Sequence, residues 1–235
     1  MGTEQPAPAS GLRRYLPTIA GLLLVFGLPF LFNLYLGSAR ESLSEPSTVL
    51  QTIGREWGIT ILLLLVILFW ERQPLSSIGL WKMDWKDALW GVGGFMLGSL
   101  AFVVTIPILE MLNLGTTGAG IAQLAQIPIG LRVAVVLTAG ITEEILFRGY
   151  PIERLNMLTG NLPLSAGLAY LAFVLLHIPF WGPGGTIQIG LWSIVITALY
   201  VWRRSLPACM LMHILNDAYA FILLPMLFLE YLPAT

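Results

Sequence analysis

The chain has 235 residues, of which 57% are hydrophobic and only 11% charged, with a net charge of −1 and a mean hydropathy of +0.81. A soluble domain carries about 25% charged residues, so this chain has too few to wet a globular surface. That excludes a soluble enzyme and a disordered regulator, and the lack of bulk basic character excludes a nucleic-acid module or partner.

What remains is an all-α, polytopic transmembrane helix bundle. The single cysteine, Cys209, excludes a disulfide framework within the chain and reads as a small core residue. Residues 1–12 are polar and Pro/Ala-rich and read as a disordered tail. After Arg13 and Arg14, the apolar run 15–36 is long enough to cross a hydrocarbon core of about 30 Å. Gly37, Ser38 and Ala39 leave signal-peptide cleavage open, but the run is longer than a signal sequence needs and favours a retained span. Asn33 within it reads as a helix–helix hydrogen-bond partner.

The second apolar run, 58–70, is short. A helix begun near Val49 would reach across if Arg55 and Glu56 extend their tips to the headgroups. Residues 71–87 hold two Lys, one Arg and two Trp and read as an interfacial loop. The third span is predicted over 88–112, with Glu110 near its end reaching the interface. A Gly-rich connection (NLGTTGAG) precedes the fourth, over about 129–150 with a helical extension to 158. Asn161–Pro163 breaks the chain, the fifth span covers 164–180, and WGPGG is read as a turn. The sixth covers about 187–202 and the seventh 206–229, with Pro225 as a kink. The expectation is thus about seven spans, between six and eight. Residues 13–128 hold helices one to three with their interfacial loop, and 129–235 hold helices four to seven.

With the N-terminus cytoplasmic, the inside segments carry Arg13, Arg14, Arg72, Lys82, Lys86, Arg154, Arg203 and Arg204, against Arg40, Arg55 and Arg132 outside. That bias favours a multi-pass protein of the cell membrane with its N-terminus inside. Lys82, Lys86, Glu153, Arg154 and Glu230 read as headgroup-facing, and Trp57, Trp70, Trp181 and Trp202 as an aromatic belt.

Strongly polar residues fall inside three predicted spans: Glu143, Glu144 and Arg148 in the fourth, His177 in the fifth, and His213, Asn216 and Asp217 in the seventh. These are the chain's only two histidines. An ionised group at the bilayer centre costs roughly 2.5–3.5 kcal/mol on insertion scales, so the set needs a reason to be there. Glu144 and Arg148 are four apart and share a helix face, whereas Glu143 is rotated by about 100° and faces elsewhere. His213 and Asp217 are four apart and Asn216 is three from His213, so all three reach one interior site. Phe173, four before His177, lies where its ring can pack over the imidazole. The plain alternative is a structural polar cluster that glues helices together.

The runs Glu143-Glu144-Ile-Leu-Phe-Arg148, Phe173-Val-Leu-Leu-His177 and His213-Ile-Leu-Asn216-Asp217 resemble the signature of the CAAX-protease and bacteriocin-processing family of glutamate-type intramembrane proteases, also called the Abi family. The resemblance spans roughly 129–220. It implies an intramembrane endopeptidase acting on membrane-associated peptides, prenylated or otherwise hydrophobic, without a cofactor. By that resemblance Glu143 would be the general base on a water, assisted by His177. Glu144 would pair with Arg148, and His213 with the residue four on would stabilise the oxyanion. Its signature allows Asn or Asp at that last position, and its better-known members carry Asn, whereas this chain has Asp217, and an ionised carboxylate donates no hydrogen bond. Either Asp217 is protonated, or Asn216 supplies the amide, or Asp217 orients His213 and supports its positive charge; the third is preferred. Two rival readings stand. One is a zinc-dependent membrane hydrolase with Glu143, His177 and His213 as ligands, although the His-Glu-x-x-His pattern is absent. The other is a non-enzymatic scaffold or immunity protein, or a proton-coupled transporter. A depth mismatch also needs resolving: His177 lies about 21 Å along its helix and His213 about 10 Å along its own.

Overall fold

The computed structural model describes residues 15–36 and 43–228, and no strand occurs among them. The tail 1–12, Arg13, Arg14, the Gly37-Ser38-Ala39 stretch, Arg40 and Glu230 lie outside the described residues, as does the side chain of Asn33. Helix α1 covers 16–36 and α2 Pro46–Trp70; α3 is Trp85–Met111 and α4 the short Gly118–Leu124. Helix α5 covers 129–159, α6 Leu162–Arg203 and α7 Leu206–Phe228. The Gly-rich stretch expected as a plain connection therefore includes a helix, α4.

Local chemistry accounts for the boundaries. Helix α2 starts earlier than expected because Pro46 sits in its first turn, where a missing N–H is harmless. Helix α3 starts on a capping box: Asp84 accepts the Asp87 N–H at 2.7 Å and Asp87 accepts the Asp84 N–H at 3.2 Å. Helix α6 is capped by Asn161, whose side chain accepts the Leu164 N–H at 3.0 Å. At Gly182 the backbone leaves helical geometry with φ 65°, a conformation that favours glycine. There α6 folds back on itself, so that a Cβ at Gly190 would meet Tyr170 Oη at 3.4 Å and Val174 Cγ1 at 3.7 Å. The expected turn thus rests on one residue. Pro225 withholds a hydrogen bond from the Phe221 carbonyl, and Arg132 donates to that carbonyl at 3.3 Å, tying the start of α5 to the end of α7.

Among the described residues four helices are long and apolar enough to cross a membrane: α2, α3, the folded α6 and α7. The apolar stretch of α1 is shorter, and α5 is interrupted by a π turn at Ile145–Gly149 and loaded with charged residues. The bundle is apolar outside and polar inside. Phe69, Met96 and Val103 are at 71%, 66% and 67% exposure, while Glu144 and Arg148 are at 0% and 1%. That is the distribution a lipid solvent requires.

A polar lattice closes the end where α1 begins and α2 ends. Glu71 accepts from Thr18 Oγ1 at 2.9 Å and Tyr150 Oη at 2.8 Å, and pairs with Arg154 at 2.7 Å. Glu153 accepts from Arg204 at 2.7 Å and Tyr200 at 2.9 Å. Glu153 and Arg154, expected to face headgroups, instead pin α5 to α2 and α6, and Arg154 is buried. Trp57, expected in an aromatic belt, sits in the interior of the longer α2 and donates to Thr138 Oγ1 at 3.0 Å.

The depth mismatch resolves in α5. Gly149 and Leu206 are level, since a Cβ on Gly149 would meet Leu206 Cδ1 at 2.7 Å. Helix α5 then runs on to Thr159, about 15 Å further at about 1.5 Å per residue, before α6 turns back. Helix α6 therefore starts well outside the level at which α7 starts. The offset brings His177 to the depth of His213.

Close contact between α5 and α7 depends on Gly140, where any Cβ would overlap Ile214 Cγ1 and lie 3.2 Å from the Ile214 backbone nitrogen. Gly140→Val is expected to force the two helices apart at an overpacking cost of roughly 1–3 kcal/mol. A lowered melting temperature of the purified protein, together with reduced activity, checks this.

Candidate active site

The side chains expected from the sequence meet around one interior space. Glu143 and Glu144 are consecutive on α5 and point in different directions, as their rotation predicts. Glu144 is fully buried and held by Arg148 Nη1 at 3.0 Å. The same Glu144 oxygen lies 2.7 Å from His213 Nδ1. A carboxylate paired with a guanidinium accepts, so His213 donates through Nδ1. The link from Glu144 to His213 is additional to the expected Glu144–Arg148 pair.

Glu143 faces the cavity. Its Oε2 lies 3.9 Å from His177 Nε2 and 3.9 Å from His213 Nε2. These separations are too long for direct hydrogen bonds and suit bridging through water. His177 Nδ1 is 2.7 Å from the Phe173 carbonyl, which only accepts, so Nδ1 carries the hydrogen and the Nε2 lone pair faces Glu143. Phe173 packs between two partners: its centroid lies 4.2 Å from that of the tilted His177 ring and 3.9 Å from the Arg148 guanidinium carbon. Arg148 Nη2 also donates to Ser193 Oγ at 2.7 Å, so α6 receives one end of the fork and α5 the other.

Asp217 Oδ2 lies 3.5 Å from His213 Nε2, and Asn216 Nδ2 donates to Asp217 Oδ1 at 3.0 Å. Asp217 is thus a neighbour of the imidazole, with the Asn216 amide bonded to it and both lining the cavity. Trp192 packs its ring against His213 with centroids 4.9 Å apart. The cavity measures about 930 Å³, and its wall includes Glu143, His177, His213, Asn216 and Asp217 with Phe95, Phe102 and Phe147. Among the described residues no group of three His, Cys, Asp or Glu side chains is disposed to hold a metal ion.

Sequence reasoning missed Glu56. It was expected to extend to the headgroups, but it lines the same cavity and accepts a hydrogen bond from Thr142 Oγ1 at 2.8 Å. Its neighbour Arg55 turns back onto its own helix and the Phe32 ring. The signal that could have found Glu56 is its position well inside an apolar helix, where an ionisable residue calls for an interior partner.

Residues 125–219 match a family model described as type II CAAX prenyl endopeptidase, Rce1-like. No curated protein and no solved structure matches the chain. The matched stretch begins just before α5 and ends at the π turn of α7, so it contains Glu143, Glu144, Arg148, His177, His213, Asn216 and Asp217 and leaves Glu56 outside. The Rce1-like family is a family of proteases, and its match covers the same signature runs that line this cavity. Residues 125–219 thus match the Rce1-like CAAX-protease family, the same family that the signature runs resemble.

Proposed function

We propose that this protein is an intramembrane endopeptidase that hydrolyses membrane-associated peptides with a water activated by Glu143. The observation that supports the reading is the convergence of both imidazoles, at equal distance, on one oxygen of Glu143, Oε2. Two acceptors, the Glu143 carboxylate and the His177 Nε2 lone pair, face each other at 3.9 Å. A water can donate one hydrogen to each, leaving its oxygen lone pair toward the substrate carbonyl. Glu143 takes the proton as the carbonyl is attacked and returns it to the leaving amine. His213, bracketed by Glu144 on Nδ1 and by Asp217 and Glu143 on Nε2, carries a hydrogen on each nitrogen and offers Nε2–H to the oxyanion. Asp217 in this scheme supports the charge on His213 and does not itself donate. The site lies in a bundle that excludes bulk water, which strengthens each of these interactions. The substrate is an extended peptide segment that reaches the cavity from the membrane, and the N-terminus is cytoplasmic. No cofactor takes part.

The test is hydrolysis of a quenched-fluorescent peptide by the purified protein in proteoliposomes. Turnover is expected in the wild type, unaffected by EDTA or o-phenanthroline, while His177→Ala loses about 10²–10⁴-fold, the span for a positioned acid–base group. Loss of turnover in chelator with recovery on zinc would transfer the role of Glu143, His177 and His213 from water activation to metal ligation.

A further inference from the structure

We infer that Glu56, on α2 and outside the stretch matched by the protease family, is a positioning residue for Glu143, acting through Thr142 by hydrogen bonding and not by charge. The inference rests on the endopeptidase reading for its kinetic consequence alone; the contact itself is structural. Thr142 is fully buried and immediately precedes Glu143 in α5. Its hydroxyl has one hydrogen and two partners, Glu56 Oε2 and the Thr138 carbonyl, each at 2.8 Å. Both are acceptors, so the one hydrogen is shared between them. The triad Glu56–Thr142–Thr138 therefore clamps the last α-helical turn before the π turn at Ile145–Gly149, and Glu143 stands on that turn. Where a helix changes from α to π pitch, backbone hydrogen bonds change partners and the carboxylate direction depends on side-chain support.

A second tie sits beside it. Trp57 Nε1 donates to Thr138 Oγ1 at 3.0 Å, so consecutive residues of α2 hold consecutive turns of α5. That tie keeps α2 docked when Glu56 is changed, and it separates the role of Glu56 from simple helix attachment. The charged groups and imidazoles that line the cavity with Glu56 are Arg55 on its own helix, Glu110 on α3, Glu143 on α5, His177 on α6, and His213 and Asp217 on α7. A role by charge and a role by reach predict opposite outcomes for two conservative changes. Gln at 56 has the same length, and its amide either accepts from Thr142 or donates to it while Thr142 keeps the Thr138 carbonyl. Asp at 56 keeps the charge and is one methylene too short.

The experiment compares Glu56→Gln, Glu56→Asp, Glu56→Leu and Thr142→Val in two readouts on the full chain in detergent or proteoliposomes. In peptide hydrolysis, kcat is expected within about threefold of wild type for Glu56→Gln, and about 10²-fold lower for Glu56→Asp, Glu56→Leu and Thr142→Val, the cost of an ångström-scale misplacement, with KM unchanged. The double variant Glu56→Leu/Thr142→Val is expected to fall no further than either single change. In amide hydrogen exchange, the segment 140–146 is expected to exchange faster in the Asp, Leu and Val variants and as wild type in the Gln variant. Loss of kcat in Glu56→Gln with wild-type kcat in Glu56→Asp would overturn the inference in favour of charge; equal losses in the two, or unchanged exchange and unchanged kcat in the Leu variant, would overturn it outright. Should Glu56→Leu fail to fold, Thr142→Val against Glu56→Gln decides the question. If the wild type shows no peptide hydrolysis, the endopeptidase reading fails while the exchange readout still decides the clamp; if Glu143→Ala retains full turnover, only the base assignment fails.

Discussion

Replacing Glu143 with alanine is expected to abolish peptide cleavage while leaving the melting temperature of the purified protein within a degree or two of wild type. The two halves of this result have separate causes. Removing a positioned general base costs about 10²–10⁴-fold in rate, which places turnover near the detection limit of a fluorogenic assay. Stability is spared because Glu143 makes no short hydrogen bond among the described residues: its ionic partners there, His177 and His213, stand at 3.9 Å. No donor is stranded by the truncation, and one of four carboxylates in a low-dielectric site, with Glu56, Glu144 and Asp217, is removed. A cavity of about 930 Å³ already adjoins the position, so the lost side chain opens no new void in a packed core. Glu143→Gln tests the same point with the volume kept and is expected to be equally inactive. Retention of wild-type turnover by either variant would remove the base assignment.

The residues that carry the chemistry could be found in the sequence because helical spacing is short-range arithmetic. Glu144 and Arg148, Phe173 and His177, and His213 and Asp217 are each four apart, and all three pairs are in contact. What spacing does not encode is how far one helix slides past another. His177 and His213 looked mismatched in depth because the extension of α5 to Thr159 shifts the start of α6, and that shift is a property of two helices together. The Asp217 question could likewise be posed from sequence, but its geometric part needed the Asn216 amide and His213 Nε2 to be located in space. Long-range pairs were the least accessible. Arg154 with Glu71 and Glu56 with Thr142 are more than eighty residues apart, and each charged residue, read locally, looks like a side chain reaching for headgroups. The tautomers of the two histidines were also hidden, since they are set by a backbone carbonyl in one case and a buried carboxylate in the other.

Arg148→Ala is expected to produce the largest combined defect, in stability as well as in activity. The guanidinium is 1% exposed and serves three partners: Glu144 at 3.0 Å, Ser193 at 2.7 Å and the face of Phe173 at 3.9 Å. Breaking a buried pair by removing one member typically costs about 3–5 kcal/mol, because the other charge is left uncompensated. Glu144 would then have His213 as its remaining partner. The consequence runs directly into the catalytic groups. Glu144 orients His213 through Nδ1, so a Glu144 carboxylate without its guanidinium no longer fixes that imidazole. Phe173 loses the cation beneath it and with it part of the packing that holds His177. Both imidazoles therefore loosen from one substitution that touches neither. Arg148→Lys is expected to recover part of the stability and little of the activity, since an ammonium supplies charge but not the planar fork that reaches Glu144 and Ser193 at once. Thermal unfolding of the detergent-solubilised variants, read beside kcat per folded protein, checks both halves. A stable Arg148→Ala protein with normal kcat would mean that Glu144 and His213 hold their geometry without the guanidinium, and that the buried pair is dispensable to the site.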